Sequence, residues 1–342
     1  MLRIYAILFL IFCFTGCQIS PRRTIGGGGG NGGGGNTGGQ LYVATPNGIL
    51  HFSGAETSNG NVAPVGTITS TSTSTQLASP QHLLLDAGTD TLYVANQGGS
   101  SIVVFNNAST LTGATTPARV IGGNATTLAS PIDVALDTVN NLLYVADGTT
   151  VKVFSPATIV NGNVAPVSSF NLGFTIGGMF LDSTNNQLYV TDPGDQAVDR
   201  FDSASTQSVV GIVGGAIAGP DTQLSQPRGV VLDSLGRIMV SNSVAPLSIT
   251  AYPNASFNTG DIVPAAVFSG NNTQLQAPGQ IALNNNVANG ELYVAEPLGG
   301  SILIYTSVLT TTGNPTPARI IKGSSTGLNV NAINGLAIDP TR

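Results

Sequence analysis

One short phrase recurs through this chain, and it limits the fold more than any other feature. Leu-Tyr-Val-Ala or a near relative begins at Leu41, Leu92, Leu143, Leu188, Ile238 and Leu292. Successive copies lie 51, 51, 45, 50 and 54 residues apart, and 50 residues follow Leu292. A period near 50 made of short apolar runs is the mark of a propeller or a solenoid.

Each unit contains four strand-like runs. The first spans Pro80 to Asp86, Pro131 to Asp137, Ile176 to Asp182, Pro227 to Asp233, Pro278 to Asn284 and Ile333 to Asp339. The Leu-Tyr-Val phrase is the second. The third ends in an aromatic: Phe52, Phe105, Phe154, Phe201, Tyr252 and Tyr305. The fourth is clearest at Pro117 to Ile121 and Pro317 to Ile321. Four short antiparallel strands per repeat, without helical periodicity between them, make a propeller blade. The chain opens on a second strand at Leu41 and closes on a sixth first strand, Ile333 to Asp339. That order predicts a ring closed three-plus-one, which leaves no sheet edge exposed. A solenoid would need atypical capping repeats at both ends, and none is visible. The expected architecture is all-β: a single six-bladed β-propeller over residues 41–342.

The blades resemble the NHL repeat. Its Pro-x-Gly-(apolar)-x-(apolar)-Asp strand is matched by Pro227-Arg228-Gly229-Val230-Val231-Leu232-Asp233. Leu92-Tyr93-Val94-Ala95-Asn96 followed by Ile102-Val103-Val104-Phe105 also looks like the YVTN repeat of bacterial and archaeal surface propellers. The resemblance covers about 300 residues. It implies a fold and leaves function open, since both families host enzymes, binding modules and scaffolds.

Composition agrees with one large β domain. Only 8% of residues are charged while 41% are apolar, so the low charge accompanies a core and not disorder. Net charge is −6 and the only lysines are Lys152 and Lys322. Nucleic acid as a partner is excluded, because phosphate binding relies on clustered Lys and Arg.

The N-terminus reads as a leader. Arg3 gives a basic start, and Ile4 to Phe14 is too short for a permanent span. Phe14-Thr15-Gly16-Cys17 resembles a bacterial lipobox, with Phe14 where Leu is usual. The resemblance implies a signal peptide over residues 1–16, acylation of Cys17, and membrane attachment through it. An ordinary signal peptide or an uncleaved anchor fits the same residues. Cys13 lies in the apolar run, which leaves Cys17 no disulfide partner in a processed chain. Gln18 after the cysteine, in place of an aspartate, favours the outer membrane or cell surface over the inner membrane. Residues 17–40 form a Gly-rich linker, and its 23 residues from Gln18 to Gln40 reach roughly 25 Å as a coil.

Chemistry-bearing residues are few. The two histidines, His51 and His82, are too dispersed for a zinc site, and the pattern of zinc-using NHL lyases is not matched. His51 is expected to be structural. His82 starts an inner strand at the channel mouth, beside the repeat-equivalent Asp133 and Gln280, where a polar entrance or a functional site are both open readings. Asp86, Asp137, Asp182, Asp233, Asp339 and Asn284 end the first strands and are expected to cap the following hairpins. Asn96, Asp147, Asp192, Asn242 and Glu296, with Thr45, follow the second strands and share the opposite rim. Turn capping accounts for them; the ring of oxygens also resembles the calcium site of six-bladed gluconolactonases. Those five residues with His82, Asp133 and Gln280 form the candidate ligand-binding rim. No catalytic residue, metal ligand or cofactor is assigned. The expected function is an envelope-anchored, non-enzymatic module that binds a protein or envelope partner. A calcium-dependent lactonase-like hydrolase and an envelope assembly scaffold are the alternatives.

Overall fold

The computed structural model describes residues 38–70, 74–211, 213–253 and 259–341. The expected signal peptide, Cys17 and most of the linker lie outside the described residues.

Six blades of four antiparallel strands form the ring, and the sheet of blade three gains a fifth, parallel strand, Val209–Val210. In blade one the inner strand is Gly335–Asp339, followed outward by Gln40–Thr45, Gly48–Ser53 and Gly66–Thr69. Leu41 pairs with Ile338 and Val43 with Leu336, so the two ends of the repeat array share one sheet and the ring closes three-plus-one. Blades two and three begin at Pro80–Asp86 and Pro131–Asp137, with register shifts just after each proline. Blades four, five and six begin at Gly178–Asp182, Pro227–Leu232 and Ile281–Asn284. The inner strands expected from Ile176, Pro278 and Ile333 thus start two to three residues later. The outer strand of blade four is Gly215–Ile217.

Alternation within strands drives the packing between blades. Ile49 and Ile68 of blade one meet Leu92, Val94, Val103 and Phe105 of blade two in one buried cluster. Equivalent clusters fill the other junctions. All eleven repeat-equivalent aromatics, from Tyr42 and Phe52 to Tyr293 and Tyr305, are at most 2% exposed. Burying each such ring contributes about 1.5–3 kcal/mol.

A second, peripheral closure is built from backbone. A glycine in the third-to-fourth-strand loop of one blade bridges the outer strand of its neighbour in parallel: Gly113 to Ile68, Gly162 to Ile121, Gly260 to Ile217, Gly313 to Phe268 and Gly60 to Ile321. At the remaining junction Phe170 and Asn171 pair with Val209 and Val210. Side chains reinforce it, as Asn163 Oδ1 accepts from Ala125 N at 2.7 Å and Asn61 Oδ1 from Ser325 N at 2.7 Å. The belt therefore runs through all six junctions.

The hairpin acids behave as expected. Asp86, Asp137, Asp182, Asp233, Asn284 and Asp339 each accept from the amide two residues on, at 2.8–3.1 Å. His51 is structural: it is 3% exposed, stacks on Tyr42 at 4.6 Å and bonds Gln40 Oε1 at 2.5 Å. Burial lowers its pKa to about 4.

Candidate functional site

In an antiparallel blade, the inner-to-second hairpins and the third-to-fourth loops share one face. The second-to-third turns and the loops between blades share the other, here called the loop face. Asn96, Asp147, Asp192, Asn242 and Glu296 end their second strands on the loop face and are all at most 7% exposed. Four of them reach back to the loop that enters their own blade. Asn96 Oδ1 accepts from Ala78 N at 2.6 Å, and its Nδ2 donates to Gln76 O at 3.0 Å. Asp147 accepts from Ala129 N and Ser130 N and pairs with Lys152. Asn242 accepts from Ser225 N at 2.9 Å, and Glu296 Oε2 from Gln276 N and Ala277 N at 3.0 and 2.9 Å. Only Asp192 caps the following turn, at Gly194 N and Asp195 N. The expected turn capping is therefore mostly loop pinning. A side chain at the end of a buried strand finds its nearest free amides in the incoming loop, because the turn that follows satisfies its own.

These acids differ in what surrounds them. Lys152 neutralises Asp147, whereas Glu296 has no cation and its Oε1 is buried without a hydrogen-bond partner. Burial pushes Glu296 up to about 7, against the opposing pull of the Ala277 and Gln276 amides. In blade four the position of Lys152 is taken by Asp199. Burial and the neighbouring Asp192 and Asp195 raise it to about 6. Among the described residues no group of three or more His, Cys, Asp or Glu is placed to hold a metal ion.

The axial channel carries the second part of the site. Four residues before each hairpin acid, the inner strands place His82, Asp133, Gly178, Gly229, Gln280 and Gly335. The structure sets His82 against Asp133 and places Gln280, with His82, in the wall of one cavity. His82 Nδ1 sits against Asp133 Oδ1 without hydrogen-bond alignment. Asp133 is fully buried and ties two blades, accepting from Val134 N and from Met179 N, both at 2.7 Å. Gln280 reaches toward blade four: a Cβ on Gly178, two blades away, would lie 3.1 Å from its Nε2. The glycines are required by close approach, since a Cβ at Gly335 would meet His82 Cα at 2.8 Å and one at Gly229 would meet Ile281 N at 2.7 Å. This level forms a polar plug. Below it lies a cavity of about 270 Å³, lined mostly by aliphatic side chains and Phe180, with His82, Gln280 and Asn285 also in its wall. The apolar lining was missed in the sequence, although a Leu or Ile precedes every hairpin acid.

No family model matches this chain, and no curated protein matches it. Solved structures do. A chain of the nidogen–laminin complex is similar at 14% identity and TM-score 0.59, over 88% of this chain and 98% of that one. A protein of unknown function from Bacteroides caccae is similar at 11% identity and TM-score 0.58, over 88% and 98%. A protein from Bacteroides fragilis named as a candidate 6-phosphogluconolactonase is similar at 15% identity and TM-score 0.57, over 89% and 98%. At these identities the likeness concerns the fold, and the fold is a six-bladed β-propeller.

Proposed function

We propose that this chain is an envelope-anchored lipoprotein whose NHL/YVTN-like propeller is a non-enzymatic binding module. It attaches through acylated Cys17 and presents its loops to a protein or envelope partner. The observation that carries the reading is the way the loop-face side chains are used. Asn96, Asp147, Asn242 and Glu296 each fix the backbone of one long loop. Loops ordered in advance lose less entropy on binding, which favours a display surface. The same hydrogen bonds disfavour the lactonase alternative. A calcium site needs six to eight oxygens converging on one ion, and these oxygens are committed to loops of four separate blades.

The anchor is tested by fractionation. Cys17→Ser should move the protein from the membrane to the soluble fraction, since two acyl chains hold a protein stably where none does. Retention in the membrane after a salt wash would overturn it. The binding role is tested with the immobilised Cys17→Ser chain and envelope extract. Asp147→Ala, Asn242→Ala and Glu296→Ala release one loop each, and the retained partner should weaken for the loop that touches it. Equal retention by all three variants would contradict the display role.

A further inference from the structure

The position just before each hairpin acid is uniform around the ring. Leu85, Leu136, Leu181, Leu232, Leu283 and Ile338 all lie there, all half-buried, and together they form an apolar collar at the hairpin-face mouth of the channel. Behind the collar the cavity runs to the polar plug of His82, Asp133 and Gln280. A ring of six large aliphatic groups left in contact with water signals an interaction site. An enclosed cavity of about 150 Å³ lined by aliphatic and aromatic side chains takes up hydrocarbon, and the aliphatic wall here offers the same kind of contact.

We infer that the channel binds a straight alkyl chain, inserted tail-first through the collar, with a head group that carries no negative charge. Length follows from volume. At roughly 30 Å³ per water-sized group, 270 Å³ holds about nine such groups, a medium-length chain. Head chemistry follows from what encircles the collar. Asp86, Asp137, Asp182, Asp233 and Asp339 are next in sequence to collar residues, and of these Asp233 has an arginine partner, Arg237 at 2.6 Å. An anionic head at this mouth would feel the field of those carboxylates behind the collar, while a hydroxyl or a cation would not be repelled. The plug stops the chain, since pressing a methyl end against its polar groups carries a desolvation cost that the alkyl chain cannot offset.

The test uses the Cys17→Ser chain and n-alkanols, read by thermal melts and calorimetric titration. 1-Nonanol should bind saturably and raise the melting temperature by several degrees at a hundredfold excess over its Kd. Affinity should rise about fourfold per methylene up to nine carbons and then level off. Nonanoate should bind at least tenfold more weakly than 1-nonanol. Ala282→Phe fills the cavity and should abolish binding. Leu232→Ala enlarges it and should move the chain-length optimum upward, which keeps the test decisive if Ala282→Phe folds poorly. Absence of saturable 1-nonanol binding, or a chain-length optimum unmoved in Leu232→Ala, would overturn the site. Equal affinity for nonanoate would overturn the head-group assignment.

Discussion

The two ends of the axial channel are built from the same six chain segments, only three residues apart, yet they follow opposite rules. At the collar the repeats stayed alike, with five leucines and one isoleucine. At the plug they diverged into His82, Asp133, Gln280 and three glycines. Uniformity suits a position whose neighbours are equivalent in every blade. Divergence is enforced at the plug by space: six side chains larger than glycine would collide where a Cβ on Gly178 already meets Arg228 O at 2.3 Å. With half the positions empty of side chain, His82 can lie against Asp133 and Gln280 can extend toward Gly178. Symmetry-breaking chemistry belongs where the ring is narrowest.

The largest test removes a strand common to both ends. Deleting residues 330–342 takes away Gly335 at the plug, Ile338 in the collar and the buried Ile333 and Leu336. The lost burial is about 5 kcal/mol, the size of many domain stabilities. The truncated protein should aggregate or melt far below the parent, and an unchanged melting temperature would mean that the ring does not depend on this strand. Next, Asp133→Ala should cost about 3 kcal/mol in denaturant melts, because Met179 N and His82 lose a buried charged partner. Leu136→Ala at the half-buried collar should cost about 1–2 kcal/mol. The reverse order would break the contrast between a tied plug and a tolerant collar. Gly229→Ala should cost a similar 1–2 kcal/mol, since Ile281 N must move.

The smallest effect is on pH dependence. Glu296 and Asp199 have raised pKa values, about 7 and about 6, so folding favours their protonated forms. Each contributes stability that is present at low pH and declines as pH rises through its ordinary range to its folded value. His51, lowered to about 4, acts oppositely and loses stability as pH falls from about 6.5 toward 4. Glu296→Gln should therefore be on the order of 1 kcal/mol more stable relative to the parent at pH 8 than at pH 5. A difference that does not vary with pH would show that Glu296 titrates as it would in water.

Repeat number, strand order and ring closure were legible because hydrophobic alternation is strong and the Leu-Tyr-Val phrase marks every blade. So were the hairpin caps, whose partners lie only two residues away in sequence. The gathering of His82, Asp133 and Gln280 was legible from repeat equivalence alone. Two features were not. The loop-face residues bond amides 17 to 20 residues earlier, as Glu296 does with Gln276, and no local rule points backward that far. The peripheral belt runs through polar loops without periodicity. Its trace is a recurring Gly flanked by Asn, Asp or Thr, at Asn59-Gly60-Asn61, Asn161-Gly162-Asn163 and Thr259-Gly260-Asp261.

The central claim is that the loop-face acids hold loops and not a metal. Thermal melts of the Cys17→Ser chain in millimolar calcium and in chelator test it most directly. Asp147 and Glu296 already receive loop amides, and their oxygens lie in different blades, so the two melting temperatures should coincide. Binding at a hundredfold excess over Kd would add about 2.7 kcal/mol and raise the melt by several degrees. A calcium-dependent rise that vanishes in Asp147→Ala or Glu296→Ala would contradict the claim and restore the hydrolase reading.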